Sequence, residues 1–199
     1  MGIGNPPLLT LKYALSILEI MGAFIISCIK RRNTIRKLEN MSYKDALTNI
    51  GNRFAMSACV DNIDKKQSIG VVYCDVTGLK YVNDTMGHEA GDRLILNACA
   101  CLTDVFGEDR VFRIGGDEFC VILEKTNAVE IHQILDSLER KINVYNEKNN
   151  IKISYAKGYE ISTREHYYLM EELTKRADSR MYENKRLMKG KRLDGRRLN

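Results

Sequence analysis

"RVFRIGGDEFCVILE", residues 110–124, sets two apolar runs on either side of a pair of glycines and predicts two strands joined by a tight hairpin. The hairpin alone does not explain why Asp117 and Glu118 stand side by side, where their charges repel. A turn with acids facing water has this composition, and so does a site where a cation rests on both carboxylates.

Outward from the hairpin, "SIGVVYCD" (68–75) is a short apolar run ending in an acid and predicts a buried strand. "EAGDRLILNACACLTDVF" (89–106) predicts a helix with Leu94, Ala98, Cys101 and Leu102 on one face. A helix near 127–147, a strand in "IKISYAKGYEI" (151–161) and a helix near 167–188 complete the series. Strand, helix, strand, strand, helix, strand is the ferredoxin-like order. The fold class expected is therefore α+β, a palm-type βαββαβ antiparallel sheet with helices packed on one face of it. In that topology the strand ending at Asp75 neighbours the hairpin strands, so Asp75, Asp117 and Glu118 can meet. Three carboxylates from adjacent strand ends make an oxygen-rich site suited to Mg²⁺, and the glycines let a bulky ligand approach the backbone.

The chain has 199 residues, 44% hydrophobic and 29% charged, which excludes disorder and allows one core-forming domain plus an appendage. Four segments are expected: a hydrophobic N-terminal segment at 1–29, a helical connector at 30–44 with Ile35 and Leu38 at helical spacing, a catalytic domain at 45–190, and a basic tail at 191–199. The net charge of +5 gathers near the ends, in "KRR" (30–32) and "KRLMKGKRLDGRR", runs that suit solvent, phosphate or the inner face of a membrane; nucleic acid is not an expected partner. The six cysteines show no CxxC spacing and read as reduced core residues. Tyr13 to Ile29 is apolar apart from Glu19, Ser16 and Ser27, and its length is the lower limit for crossing the roughly 30 Å hydrocarbon core. The expectation is a single-pass anchor in the inner membrane, with "KRR" and the catalytic domain on the cytoplasmic side. No small-residue cleavage site follows, which argues against a signal peptide; the alternative is a helix packed in a dimer.

"RIGGDEF", with "CDVTGLKYVNDTMGHEAGDRLI" (74–95) and "DALTNIGNR" (45–53), closely resembles the GGDEF family of diguanylate cyclases, which condense two GTP into cyclic di-GMP and release two pyrophosphates. The resemblance covers residues 43 to about 190 and implies the following roles. Asp75, the Val76 carbonyl, Asp117 and Glu118 match metal ligands for two Mg²⁺ per site, or Mn²⁺ in their place. Asp117, Glu118 and Lys80 match catalytic residues. Asn83 and Asp92 match the readers of the guanine edge, a task that suits an amide and a carboxylate. Leu47 matches the base pocket. Gly78, Leu79 and Lys80 match the phosphate-binding turn, and Lys185 and Lys189 match phosphate contacts in the last helix. One domain holds one GTP, so the resemblance also implies a homodimer in which each copy contributes half the product. Read from the residues alone, Asn83 serves equally as a helix cap, His88 as a core or capping histidine, and Lys185 and Lys189 as solvated lysines. A domain that binds GTP or a cyclic dinucleotide without turnover, a cyclase making a mixed dinucleotide, and a scaffold that only dimerises are the alternatives.

The departures are few. "DVTGLK" stands where the family often reads "DIDxFK", so Thr77 replaces an acid; Lys189 stands where arginine is common, keeping charge but losing the bidentate fork. Asn49 replaces a glycine at a turn position where asparagine tolerates positive φ. Many members carry an inhibitory product site, Arg-x-x-Asp, and here that window is "FGED", Phe106 to Asp109. Arg110 is expected on a strand, pointing away from Asp109.

Overall fold

The computed structural model describes residues 6–64 and 66–197, with side chains at 13, 15–32, 43–64 and 66–190. It divides into two units at Ser42/Tyr43. The first unit holds one helix, α1 (Pro6–Ser42), which runs without a break into the expected connector and stops two residues short of its end. The side chains of Ile35 and Leu38 lie outside the described residues. Among the described residues no helix is long and apolar enough to cross a membrane, which overturns the expected single-pass anchor and the membrane localisation built on it. The physical reason lies in the run itself: a span needs about 20 predominantly apolar residues. Residues 13–29 fall short of that, carry Glu19 within them and meet Lys30 at once.

The second unit contains β1 (Gly51–Asn52), α2 (Arg53–Asn62), β2 (Ile69–Val76), α3 (Leu79–Met86), α4 (His88–Phe106), β3 (Val111–Arg113), β4 (Glu118–Glu124), α5 (Ala128–Lys148), β5 (Tyr155–Ser162) and α6 (Met170–Arg197). The sheet order is β1-β3-β4-β2-β5. Its four long-range strands β3-β4-β2-β5 are antiparallel and follow the ferredoxin-like order, as expected; β1 adds a short parallel edge beside β3.

Helices cover both faces of this sheet, not one. The reason is legible in β2 and β4, whose residues are buried at nearly every position, and a strand that is apolar on both sides cannot leave one side in water. Val72, Cys74, Val76 and Val121 pack with Leu94, Leu102, Ile131 and Leu138 of α4 and α5. Val71, Phe112, Cys120 and Ile122 pack on the other side with Leu173 and Ala177 of α6. Helix starts follow local chemistry: the Asn52 side chain accepts from the N–H groups of Phe54 and Ala55, and Asn127 accepts from that of Glu130. Asn49 has φ 58°, the left-handed conformation that its side chain tolerates. All six cysteines are free, and Cys74, Cys99, Cys101 and Cys120 are buried.

Candidate active site

β2 and β4 pair so that Asp75 stands opposite Glu118, and the Val76 N–H donates to the Asp117 carbonyl at 2.8 Å. Three acids therefore gather at one end of the two central strands. Glu118 folds back over Gly115, where an added Cβ would lie 2.6 Å from its Oε2, so the glycine makes room for the carboxylate. Asp75 is only 2% exposed. Its Oδ2 accepts a hydrogen bond from Lys185 Nζ, and its Oδ1 is buried with no partner. Burial pushes the Asp75 pKa up, against the pull of Lys185 and with a further push from Asp117. Burial pulls Lys185 down, but its bond to Asp75 and the nearby charges of Asp117 and Glu118 outweigh that and raise it.

Around these groups lies a pocket of about 210 Å³ walled by Asp75 to Lys80, Asp117, Lys185, Met188 and Lys189. Gly78 turns the chain at φ 89°, a conformation that suits glycine, and starts α3 with no side-chain cap. The first-turn amides of α3, which have no partner within the helix, therefore begin at the pocket wall. Thr77 donates its N–H to the Ser154 carbonyl at 2.8 Å, and its hydroxyl reaches the same oxygen at 3.3 Å. Thr77 thus ties the turn before α3 to the approach of β5.

The expected site residues separate into two groups. Asp75, Val76, Gly78, Leu79, Lys80, Asp117, Lys185 and Lys189 share the pocket, with Glu118 beside Asp75. Asn83 and Asp92 do not line it and lie on α3 and α4. The Asn83 side chain rests on Gly91, whose added Cβ would meet its Oδ1 at 1.8 Å, and Leu79, which does line the pocket, reaches the same spot. Leu47 is half-buried against the core and does not line the pocket. His88 is exposed at the first turn of α4 and is no core residue. Among the described residues no three His, Cys, Asp or Glu side chains converge as a ready-made metal centre. The cation resting on Asp75 here is Lys185.

Two arginines hold the hairpin and were not singled out from the sequence. Arg113 donates to Asp45 Oδ1 at 2.8 Å and to the Gly116 carbonyl at 2.7 Å, while Arg53 donates to the Ile114 carbonyl at 2.7 and 3.1 Å. Both sit inside quoted motifs, but Asp45 and Ile114, the partners that tie them across the fold, are more than sixty residues away, so no local pattern marks them. Burial raises Asp45, yet the bonds from Arg113 and Thr48 outweigh it and hold the carboxyl below its usual range. A depressed folded pKa contributes stability above the usual carboxylate range, and that stability is lost as pH falls through the lowered value. With the Arg113 and Asp45 side chains 13% and 22% exposed, Asp45→Asn is expected to cost about 2 kcal/mol at neutral pH. Urea titrations at a series of pH values check this: the gap between wild type and variant should close in acid, and a gap independent of pH counts against it.

The family described as "Diguanylate cyclase, GGDEF domain" matches residues 42–191. The chain is 31% identical over 154 residues to the diguanylate cyclase DgcN of Escherichia coli, covering 71% of this chain and 36% of that protein. It is 28% identical over 167 residues to the cyclic di-GMP phosphodiesterase PdeB of Shewanella oneidensis, covering 80% of this chain and 19% of that one. The chain spans less than half the length of these curated relatives. In fold it is similar to the coiled coil and GGDEF domain of DgcB from Caulobacter crescentus, solved in complex with c-di-GMP, with a TM-score of 0.67 at 23% identity over 89% of this chain and 94% of that one. The hairpin acids, the strand end they face and the order of the sheet agree with that match over residues 42–191, and the chain belongs to the GGDEF family of diguanylate cyclase domains.

Proposed function

We propose that the domain is an active diguanylate cyclase, which joins two GTP into cyclic di-GMP with release of two pyrophosphates, acting as a homodimer. The observation that carries this reading is Asp75, a carboxylate almost wholly buried at the junction of β2 and β4, facing Glu118, beside a pocket walled by three lysines. Burying a charge there is costly unless a cation meets it.

The residues fit Mg²⁺ or Mn²⁺: the orphaned Asp75 Oδ1 is an oxygen awaiting a cation, and Asp117, Glu118 and the Val76 carbonyl supply the hard donors such ions prefer. When bound, the ions neutralise charge on the phosphates and lower the pKa of the attacking hydroxyl. The chain's own share is positioning. Lys80, Lys185 and Lys189, with the first-turn amides of α3, hold the triphosphate and offset its charge. Asn83 and Asp92 hydrogen-bond the guanine edge, and Leu47 backs the base from the core side. Each GTP presents its 3′-hydroxyl to the α-phosphate of the one held by the second copy, which is why two domains face each other. Incubating the protein with GTP, ATP and Mg²⁺ and identifying the products tests this reading: cyclic di-GMP supports it, and unchanged GTP counts against it. A second reading, a domain that binds GTP without turnover, is favoured by one observation, the Lys185 ammonium already seated on Asp75. GTP retention without product would establish it.

We further propose that this enzyme lacks feedback inhibition through the Arg-x-x-Asp site. Phe106, in the arginine's place, is buried in the core, so its ring is not offered to a product. Arg110 lies in a 3-10 turn, Glu108–Arg110, and not on a strand as expected, so strand alternation does not direct it away from Asp109. One exposed arginine displaced by a turn still lacks the spacing of the motif. Initial rates at saturating GTP are expected to hold steady as cyclic di-GMP is added. Non-competitive inhibition at low micromolar product, abolished by Asp109→Ala, would show the opposite.

A further inference from the structure

We propose that Lys185 is a built-in counter-cation that competes with the divalent ion for Asp75 and yields that carboxylate only when a triphosphate draws its ammonium away. The proposal rests on the cyclase reading of the pocket. Asp75 is 2% exposed and has two oxygens: one takes Lys185 Nζ, and the other has no partner. A second full positive charge on the same buried carboxylate meets the ammonium at close range, where repulsion is poorly screened. Ammonium on one oxygen and divalent ion on the other therefore weaken each other's hold on Asp75. That fits the observation that, among the described residues, the acids do not converge as a finished metal centre.

The same geometry offers Lys185 somewhere to go. Its side chain is 27% exposed on α6, and lysine carries a point charge on a flexible stem. The pocket that holds Asp75 also holds Gly78, Leu79 and Lys80 at the start of α3, where an anionic tail would lie. An ammonium that moves from Asp75 to such a tail stays within one pocket. The carboxylate it leaves is then open to the divalent ion. Nucleotide and metal thus raise each other's affinity, and by linkage the factor is the same in both directions.

The test is Mn²⁺ binding to the full chain, read from the electron paramagnetic resonance signal of the free ion, with and without a non-hydrolysable GTP analogue whose own chelation of Mn²⁺ is measured without protein and subtracted. Wild type is expected to bind Mn²⁺ weakly alone and about tenfold tighter with the analogue, a usual size for coupling between sites. Lys185→Met is expected to bind Mn²⁺ alone about tenfold tighter than wild type and to lose most of the enhancement, on the same coupling. Lys185→Gln should match it, and Lys185→Arg, which keeps the charge, should stay close to wild type. Equal nucleotide-free affinity in wild type, Lys185→Met and Lys185→Gln overturns the proposal, as does weaker binding in the two neutral variants. Failure of the cyclase reading looks different: wild type then shows no Mn²⁺ binding beyond that of the analogue itself, and Asp75→Asn changes nothing, which removes the proposal along with the site.

Discussion

Glu118→Gln is expected to lower the rate of cyclic di-GMP formation by about a thousandfold, since fixed charge at the reacting centre is usually the largest single contribution to catalysis. The substitution is nearly isosteric, so shape is kept and only the negative charge is removed. Glu118 begins β4 opposite Asp75, and its backbone carbonyl accepts from the N–H groups of Ile114 and Gly115 at 2.9 and 3.3 Å. Those backbone bonds survive the change, as do the arginine bonds to Ile114 and Gly116, so the hairpin should stay folded. What is lost is one of three carboxylates that would hold the cations, and the acids that remain must bind the same charge with less. Circular dichroism and a thermal melt should match wild type while turnover collapses. A folded Glu118→Gln protein that retains more than about a tenth of wild-type turnover would remove Glu118 from the metal site, because a ligand charge in a two-metal centre cannot be that cheap to lose.

Much of this site is visible in the sequence because strand ends are. Asp75 closes an apolar run and Asp117–Glu118 opens another, so the ferredoxin-like order alone brings them to one end of neighbouring strands, and the register places Asp75 opposite Glu118. The partners that are not visible are those whose contact depends on packing between elements far apart in the chain. Lys185 reaches Asp75 from α6, and Arg113 reaches from β3 to Asp45 in the segment before β1. Neither pair has a spacing that periodicity could report. The β1 edge escapes for another reason: two residues are too short a stretch for alternation to show, and its parallel partner comes only after α4. The second layer of helices was legible in principle, because a strand like Ile69–Val76, apolar on both of its faces, demands cover on both. The apolar run at 13–29 misleads in the other direction, because its hydrophobicity suits a span while its length stops at the lower limit and Glu19 interrupts it. The guanine-reading roles proposed for Asn83 and Asp92 come from the family resemblance alone, since nothing in an exposed aspartate near a helix start announces a base.

Gly158→Val is expected to destabilise the domain by about 3 kcal/mol or more, because overpacking against immovable atoms sits at the upper end of such costs. Gly158 lies in β5 beneath α6, and a Cβ there would fall 2.0 Å from the Met181 nitrogen and 2.5 Å from the Ala177 carbonyl oxygen. These are helix backbone atoms, so no rotamer change relieves the clash; α6 itself must lift. Lifting it disturbs Leu173, Ala177 and Met181, all buried against the sheet, and strains the bond from the Lys157 N–H to Asn184 Oδ1 at 3.1 Å. The next residue along α6 is Lys185. A helix raised at Ala177 and Met181 therefore carries the ammonium away from Asp75 and takes Lys189 with it, so stability and the α6 wall of the pocket are coupled through one glycine. The melting temperature should fall by about 10 °C, using the usual few degrees per kcal/mol for a domain of this size. Gly158→Ala, with the same Cβ but no branches, should show most of that fall, because the first added carbon already makes the clash. An unchanged melting temperature in Gly158→Val would mean that α6 does not lie against β5 as closely as the structure has it, and the seat of Lys185 on Asp75 would go with it.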